Sequence, residues 1–393
     1  MFKTLIPVVI ISLNLFASDD PLLRENKQEI IKVQQQEIEA NSKKIKYDWI
    51  APINLSSSYT KSDTQDDFVS DSSINVNQDL FRSGGIFYKI DYANIKLQNS
   101  LTSLSLENTS LYKELFTGLL QLKKLKLLEK QTHFNLLNAE IEVFLKTQQY
   151  KTGALDITEL NRALRDKNSI SKSELTAKQA IVEQEIALKK LTHRELSEIE
   201  IPKFELITQE KYEETNYNLL VANLNTELSD KAYKVTKSSY LPTVSLNAAY
   251  GYLENPNTDF NDDYYRYGLK LSMPLSFNYY ATLQESKAAY LQDRLNIVEN
   301  QIDARSFYEA AISKIDNYEK YKLITQDNIE LYARLIKIIQ KALKSGMKTG
   351  YDLKTLQNTK QVDELELEIS DINIQLELAE ILFATKMGEN HYE

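Results

Sequence analysis

The chain has 393 residues, a formal net charge of -9, no cysteine and three histidines, with 42% hydrophobic and 26% charged residues. That balance excludes wholesale disorder, and the missing cysteines exclude a disulfide scaffold, a thiolate metal site and a lipidated N-terminal cysteine. His133, His193 and His391 are far apart, which makes a zinc or Ser-His-Asp enzyme a poor expectation, and the acidic balance argues against nucleic-acid binding.

In chain order, Lys3 precedes an apolar run from Leu5 to Phe16, then the small pair Ala17-Ser18 and Asp19-Asp20. This predicts a secretory signal peptide over 1–18, its charge order fitting export better than a buried core helix. No later stretch approaches 18 consecutive apolar residues, so no membrane-spanning helix is expected. A short N-terminal helix leads to two strands by alternation. In the first, Ile53, Leu55 and Tyr59 oppose Asn54, Ser56, Ser58 and Thr60; in the second, Ile74, Val76 and Leu80 oppose Asn75, Asn77 and Asp79. No proline lies between Pro52 and Pro202, and a long helix is predicted over 86–149, about 95 Å at 1.5 Å per residue. A turn at Gly153 reverses the chain into a return helix from 157 to about 196. The stretch 197–211, with Pro202 and alternating Ile199, Ile201 and Phe204, predicts a short strand.

The same order then recurs. After a helix over about 212–238, Val244, Leu246, Ala248, Tyr250 and Tyr252 oppose Ser245, Asn247 and Gly251. Tyr265, Tyr267, Leu269, Leu271 and Met273 oppose Arg266, Gly268, Lys270 and Ser272. Helices over 280–345 and 351 to about 387 flank a turn at Gly346. A shift of 193 positions (240 - 47) sets Tyr47 on Tyr240, Asn54 on Asn247, Gly153 on Gly346 and Leu160 on Leu353. The chain is thus one unit written twice, with a first repeat over 19–205, a second over 206–387 and a tail over 388–393. Each repeat holds a β-hairpin (about 47–81 and 240–277) and a helical hairpin (about 86–196 and 280–387). Heptad spacing at Ile315, Ile329, Ile336 and Leu343, interrupted at Lys322, marks a packing seam. A weaker series through Leu104, Leu111 and Leu125 is broken at Gly118.

The fold class is mainly α with β. Strict alternation over about ten residues, with tyrosines toward one end, is a barrel-strand pattern. Four strands cannot close a barrel and lipid tolerates no open edge. Three copies would supply 3 × 4 = 12 strands, with the polar, acidic loops 61–67 and 254–263 outside and Arg266 and Lys270 facing the lumen. A second reading keeps the hairpins in water and makes the chain an exported trimeric coiled-coil protein for structure or adhesion.

Three features carry a resemblance. Tyr240-Leu241-Pro242-Thr243-Val244-Ser245-Leu246 enters a strand. Gln78-Asp79-Leu80-Phe81-Arg82-Ser83-Gly84-Gly85, with Met273-Pro274-Leu275-Ser276-Phe277 as its counterpart, turns from strand to helix. Tyr150-Lys151-Thr152-Gly153 and Leu343-Lys344-Ser345-Gly346 form paired turns. In this order the chain resembles the TolC-like outer-membrane efflux proteins (the OEP family) over essentially all of its length after the signal peptide. The resemblance implies a homotrimer without enzymatic activity or cofactor, with a 12-stranded barrel among outer-membrane lipid and a long α-helical periplasmic tunnel. It also implies docking on a periplasmic adaptor (membrane fusion) protein and an inner-membrane transporter, to export drugs, metals or proteins.

The family's tips are closed by hydrogen bonds and ion pairs. Carried across through the glycines, the gate positions are Thr158, Glu159, Lys348 and Asp352. The adaptor contacts fall on the turns Gly153-Ala154-Leu155 and Gly346-Met347-Lys348. The glycines end helices where positive φ is required, and Thr158 and Thr349 are candidate caps for the next ones. Threefold symmetry would gather three Asp352 carboxylates into a cation-binding ring; otherwise Lys348 and Asp352 form a solvated i, i+4 pair worth a few tenths of a kcal/mol. Two positions depart from the family: Thr355 stands where some members carry a second acidic ring, and Leu343 replaces the tyrosine expected before the second glycine.

Overall fold

The computed structural model describes residues 22–63, 67–256, 258 and 260–391. The signal-peptide expectation at 1–18 lies outside them, as do parts of both long hairpin loops. The elements run α1 (Glu25–Tyr47), β1 (Asn54–Thr60), β2 (Val69–Phe81), α2 (Gly85–Lys151), α3 (Ile157–Leu191), α4 (Gln209–Thr215), α5 (Tyr217–Ser238), β3 (Thr243–Asn255), β4 (Phe260–Ser272), α6 (Tyr279–Lys344) and α7 (Gly350–Phe383), then a 3-10 turn over Lys386–His391. Two compact units result, one of 31–107 with 209–307 and one of 108–208 and 308–391 with the start of α1. Each draws on both repeats, because the pairing of β2 with β3 and the packing of the helical hairpins join sequence-distant halves.

The first unit holds one antiparallel sheet in the order β1-β2-β3-β4. Its register sets Leu55 opposite Ile74, Ile74 opposite Tyr250 and Tyr250 opposite Tyr265, so the apolar alternations of all four strands share one face. That face is uncovered: Leu55 is 80% exposed, Tyr267 79% and Leu269 72%. Alternation fails at one point. Asp79 pairs with Ser245 but Phe81, not Leu80, pairs with Val244, because a bulge adds a residue where the strand bends into the corner before α2. Beside the sheet, α1 and α5 are tied to α2. The Ser42 hydroxyl donates to the Ala93 carbonyl at 3.1 Å and Lys231 meets Asp91 at 2.7 Å. The helix expected over 212–238 is split, since the Asn216 side chain accepts the Leu219 N–H at 3.2 Å and caps α5 as a new start.

The second unit packs the helical hairpins around a buried cluster. The rings of Phe116, Phe204 and Phe383 meet at centroid distances of 5.6–6.3 Å, enclosed by Leu23, Leu115, Leu188 and Leu382. Phe204 lies on the segment expected as a short strand, which instead is irregular backbone over 199–208. Among the described residues no strand pairs with it to complete a ladder. The Gln375 side chain of α7 substitutes, accepting the Phe204 N–H at 2.8 Å and donating to its carbonyl at 3.3 Å.

Both return helices end earlier than expected. α3 stops at Leu191 with Thr192 as cap. α7 stops at Phe383, where the Thr385 hydroxyl donates to the Leu382 carbonyl and Gly388 passes close to the Phe383 ring. The interruptions in the heptad series have roles. Lys322 reaches Asp371 on α7 at 2.7 Å, and this partner raises its pKa. Gly118 lets α3 approach α2, since an added Cβ would sit 2.7 Å from Leu188, while Gln184 donates to the Gly118 carbonyl at 3.0 Å.

Candidate functional site

The two turns joining the helical hairpins share one geometry. Gly153 has φ +72° and Gly346 φ +76°. The Gly153 N–H reaches the Tyr150 carbonyl at 3.0 Å and the Ala154 N–H the Gln149 carbonyl at 2.9 Å; Gly346 and Met347 repeat the pair on Leu343 and Ala342 at 3.1 and 3.0 Å. These are Schellman closures, which use the left-handed residue to satisfy carbonyls at the helix end. Nothing lies within 4 Å of a Cβ at either glycine, so the requirement is one of backbone conformation. Gly153→Ala and Gly346→Ala should therefore each cost about 1–2 kcal/mol of local hairpin stability. Hydrogen exchange at the turn amides measures this, with Asn replacements costing less.

The helix starts differ. Asp156, not Thr158, caps α3, its carboxylate accepting the Thr158 N–H at 2.7 Å. A carboxylate two residues back has the right reach, whereas Thr158 already lies inside the helix. Bonding to Thr158 holds the Asp156 carboxyl below its usual range. Thr349 caps α7 in a full capping box: the Asp352 N–H donates to the Thr349 hydroxyl at 3.3 Å and the Thr349 N–H donates to the Asp352 carboxylate at 2.9 Å. These bonds from Thr349, with Lys348 at 3.7 Å adding less, depress the Asp352 carboxyl. Its capping contribution is thus present above the ordinary carboxylate range and is lost as pH falls through the depressed value.

The four positions expected at a gate fall into two groups. Lys348 and Asp352 are paired at the head of α7; Glu159, at the repeat-equivalent position of Asp352, reaches back to Lys146 on α2 at 3.8 Å. Among the described residues no bond joins one group to the other. Of the turn residues, Gly153, Ala154, Gly346, Met347 and Lys348 are exposed, Met347 at 75%, and Leu155 is half-buried.

Sequence reasoning missed the ties between α2 and α7 above these turns. Asn358, 1% exposed, donates to Asn138 at 2.8 Å, and Asn138 donates to the Thr359 hydroxyl at 3.3 Å. Gln131 donates to Glu366 at 2.9 Å and to the Val362 carbonyl at 3.0 Å. Below them Phe144 meets Tyr351, centroids 5.0 Å apart, beside an open groove of about 530 Å³. Asparagine on a core-facing helix position was the available signal.

No family model matches this chain. It is 22% identical over 281 residues to the outer membrane protein TolC of Vibrio cholerae serotype O1, a stretch covering 59% of this chain and 63% of that relative, so the match spans less than two-thirds of the relative's length. In structure it is similar to the outer membrane protein VceC from Vibrio cholerae, with a TM-score of 0.73 at 15% identity over 93% of this chain and 94% of that one. It is also similar to the Campylobacter jejuni CmeC outer membrane channel (0.73, 14%, covering 93% and 84%) and to the open state of the Neisseria gonorrhoeae MtrE outer membrane channel (0.63, 11%, covering 93% and 86%).

Proposed function

We propose, on the premise that this chain has the fold of the TolC-like outer-membrane channels, that it is the outer-membrane conduit of a tripartite efflux or type I secretion system. Three copies close a 12-stranded barrel in the outer membrane, and the helical hairpins line a periplasmic passage. The observation that carries this reading is the sheet: four paired strands end in two unpaired edges, β1 and β4, and present an uncovered apolar face. In lipid such edges are satisfied only by other strands. The helices support the same assembly. Leu175, Val182 and Ile186 on α3, and Ile324, Leu331 and Ile338 on α6, are exposed apolar stripes at heptad or part-heptad spacing, as helices that pack on neighbouring copies require. The exported-adhesin reading leaves the apolar sheet face without a partner. Extraction distinguishes the two: the channel reading expects release from outer-membrane fractions by detergent only, and release by salt overturns it.

A periplasmic adaptor and an inner-membrane transporter are the partners proposed for the turns at Gly153-Ala154-Leu155 and Gly346-Met347-Lys348. Crosslinking from a probe at Met347 is the direct test. For the gate, the capping box makes the choice of substitution matter. An asparagine at 352 keeps an oxygen able to accept the Thr349 N–H, whereas alanine removes the carboxylate half of the capping box together with the charge. Asp352→Asn should lower cation selectivity and block by trivalent metal ions in planar bilayers, while changing hairpin stability by less than about 1 kcal/mol. An unchanged reversal potential removes the acidic-ring proposal and leaves Asp352 as the carboxylate of the capping box.

A further inference from the structure

We propose that the polar face of the sheet recognises multiply charged anions within the barrel. The inference rests on the barrel reading, because alternation turns this face inward only when the sheets close. Across the face, β1 contributes Asn54, Ser56 and Ser58, β2 contributes Ser73, Asn75 and Asn77, and β3 contributes Ser245 and Asn247. These are neutral hydrogen-bonding groups, and Asp71 and Asp79 of β2 share the face on either side of them. The cations of the face stand on β4, Arg266 opposite Ala249 and Lys270 opposite Ser245, and so rise over short neighbours.

Of the carboxylates on this face, Asp79 is paired with Arg82 at 2.7 Å. Asp71, which keeps its charge while accepting the Tyr264 hydroxyl at 3.0 Å, and Asp262 both lie in the row of Leu253, outward of Arg266. Among the described residues no ion pair includes Arg266 or Lys270.

Arg266 is also oriented. Gly251 leaves room for Tyr264, since a Cβ there would meet the ring at 2.7 Å, and so Tyr264 crosses β3 to reach Asp71 on β2. The Arg266 guanidinium lies 5.4 Å from the centroid of that ring. Stacking uses the guanidinium face and leaves its N–H edges for an acceptor. Arg266 and Lys270 are four residues apart, about 13 Å along the strand. That span lies beyond a small monovalent anion but within reach of a chain carrying several charges. Three copies supply 3 × 2 = 6 such cations, and low-dielectric walls concentrate their field.

The test is calorimetric titration of the detergent-purified full chain with inorganic tripolyphosphate at low and high salt. The proposal expects saturable binding that weakens with salt and falls about tenfold or more in Arg266→Gln/Lys270→Gln. A second variant, Ser245→Glu, sets a carboxylate opposite Lys270 and should weaken binding without removing a cation. Lys189→Gln, on α3, should leave it unchanged. Planar-bilayer conductance is measured on the same preparations. A conducting chain that does not bind, or whose binding survives the double substitution, overturns this proposal alone. A chain that binds tripolyphosphate but forms no channel overturns the barrel reading and the lumenal placement with it.

Discussion

Leu269→Arg is expected to abolish assembly of the chain into the outer membrane, while Gly268→Arg, one residue away, is tolerated. Leu269 lies on the apolar face in register with Leu246 and is 72% exposed in the single chain. In a barrel that exposure is to lipid. An arginine near the bilayer midplane costs about 2–4 kcal/mol per strand, and three copies multiply this to roughly 6–12 kcal/mol. Gly268 lies on the opposite face, with nothing within 4 Å of an added Cβ, so a long polar side chain there extends into an aqueous lumen. The measurement is the share of trimer in density-separated outer-membrane fractions at equal expression. Wild-type assembly of Leu269→Arg would mean that this face does not meet lipid, and the channel reading would fall with it.

The second large effect concerns the helical unit. Phe383→Ala is expected to destabilise it by about 3–5 kcal/mol, because it empties the centre of the Phe116–Phe204–Phe383 cluster, where Phe383 is 1% exposed. The loss is not confined to one helix. Phe204 sits on irregular backbone held by its ring and by Gln375, so the segment 199–208 should loosen and become open to protease at Lys203. Phe383→Leu keeps most of the volume and should cost less than about 1.5 kcal/mol. Helical melting monitored by circular dichroism, with limited trypsin digestion alongside, separates these outcomes. Equal melting of the alanine and leucine variants would show that the cluster does not organise the unit.

Much of this architecture is legible in the sequence because it rests on local rules. Period-two alternation placed Leu246, Tyr250 and Leu269 on one face before any pairing was known. The two glycines marked helix ends because a left-handed residue is needed there whatever surrounds it. Reasoning failed where a tertiary neighbour replaced a local one. The 197–211 segment alternates like a strand, yet its backbone partner is the Gln375 side chain, 171 positions from Phe204. Asn216 reads as one more helical residue until its side chain is seen capping α5. Thr158 looks like a cap, but Asp156, two residues earlier, has the better reach.

The sequence by itself determined the duplicated order of elements, the sidedness of the strands and the location of the two turns, since all three depend on periodicity and backbone conformation along a continuous stretch. Only the tertiary structure decided which charges are committed. It paired Lys322 with Asp371 and Glu159 with Lys146, placed Asp352 in a capping box, and stacked Arg266 on Tyr264 with no carboxylate partner among the described residues. Long side chains reach several ångströms and choose among many partners of similar energy, so their choice follows from how the helices and strands pack and cannot be read from the order of residues.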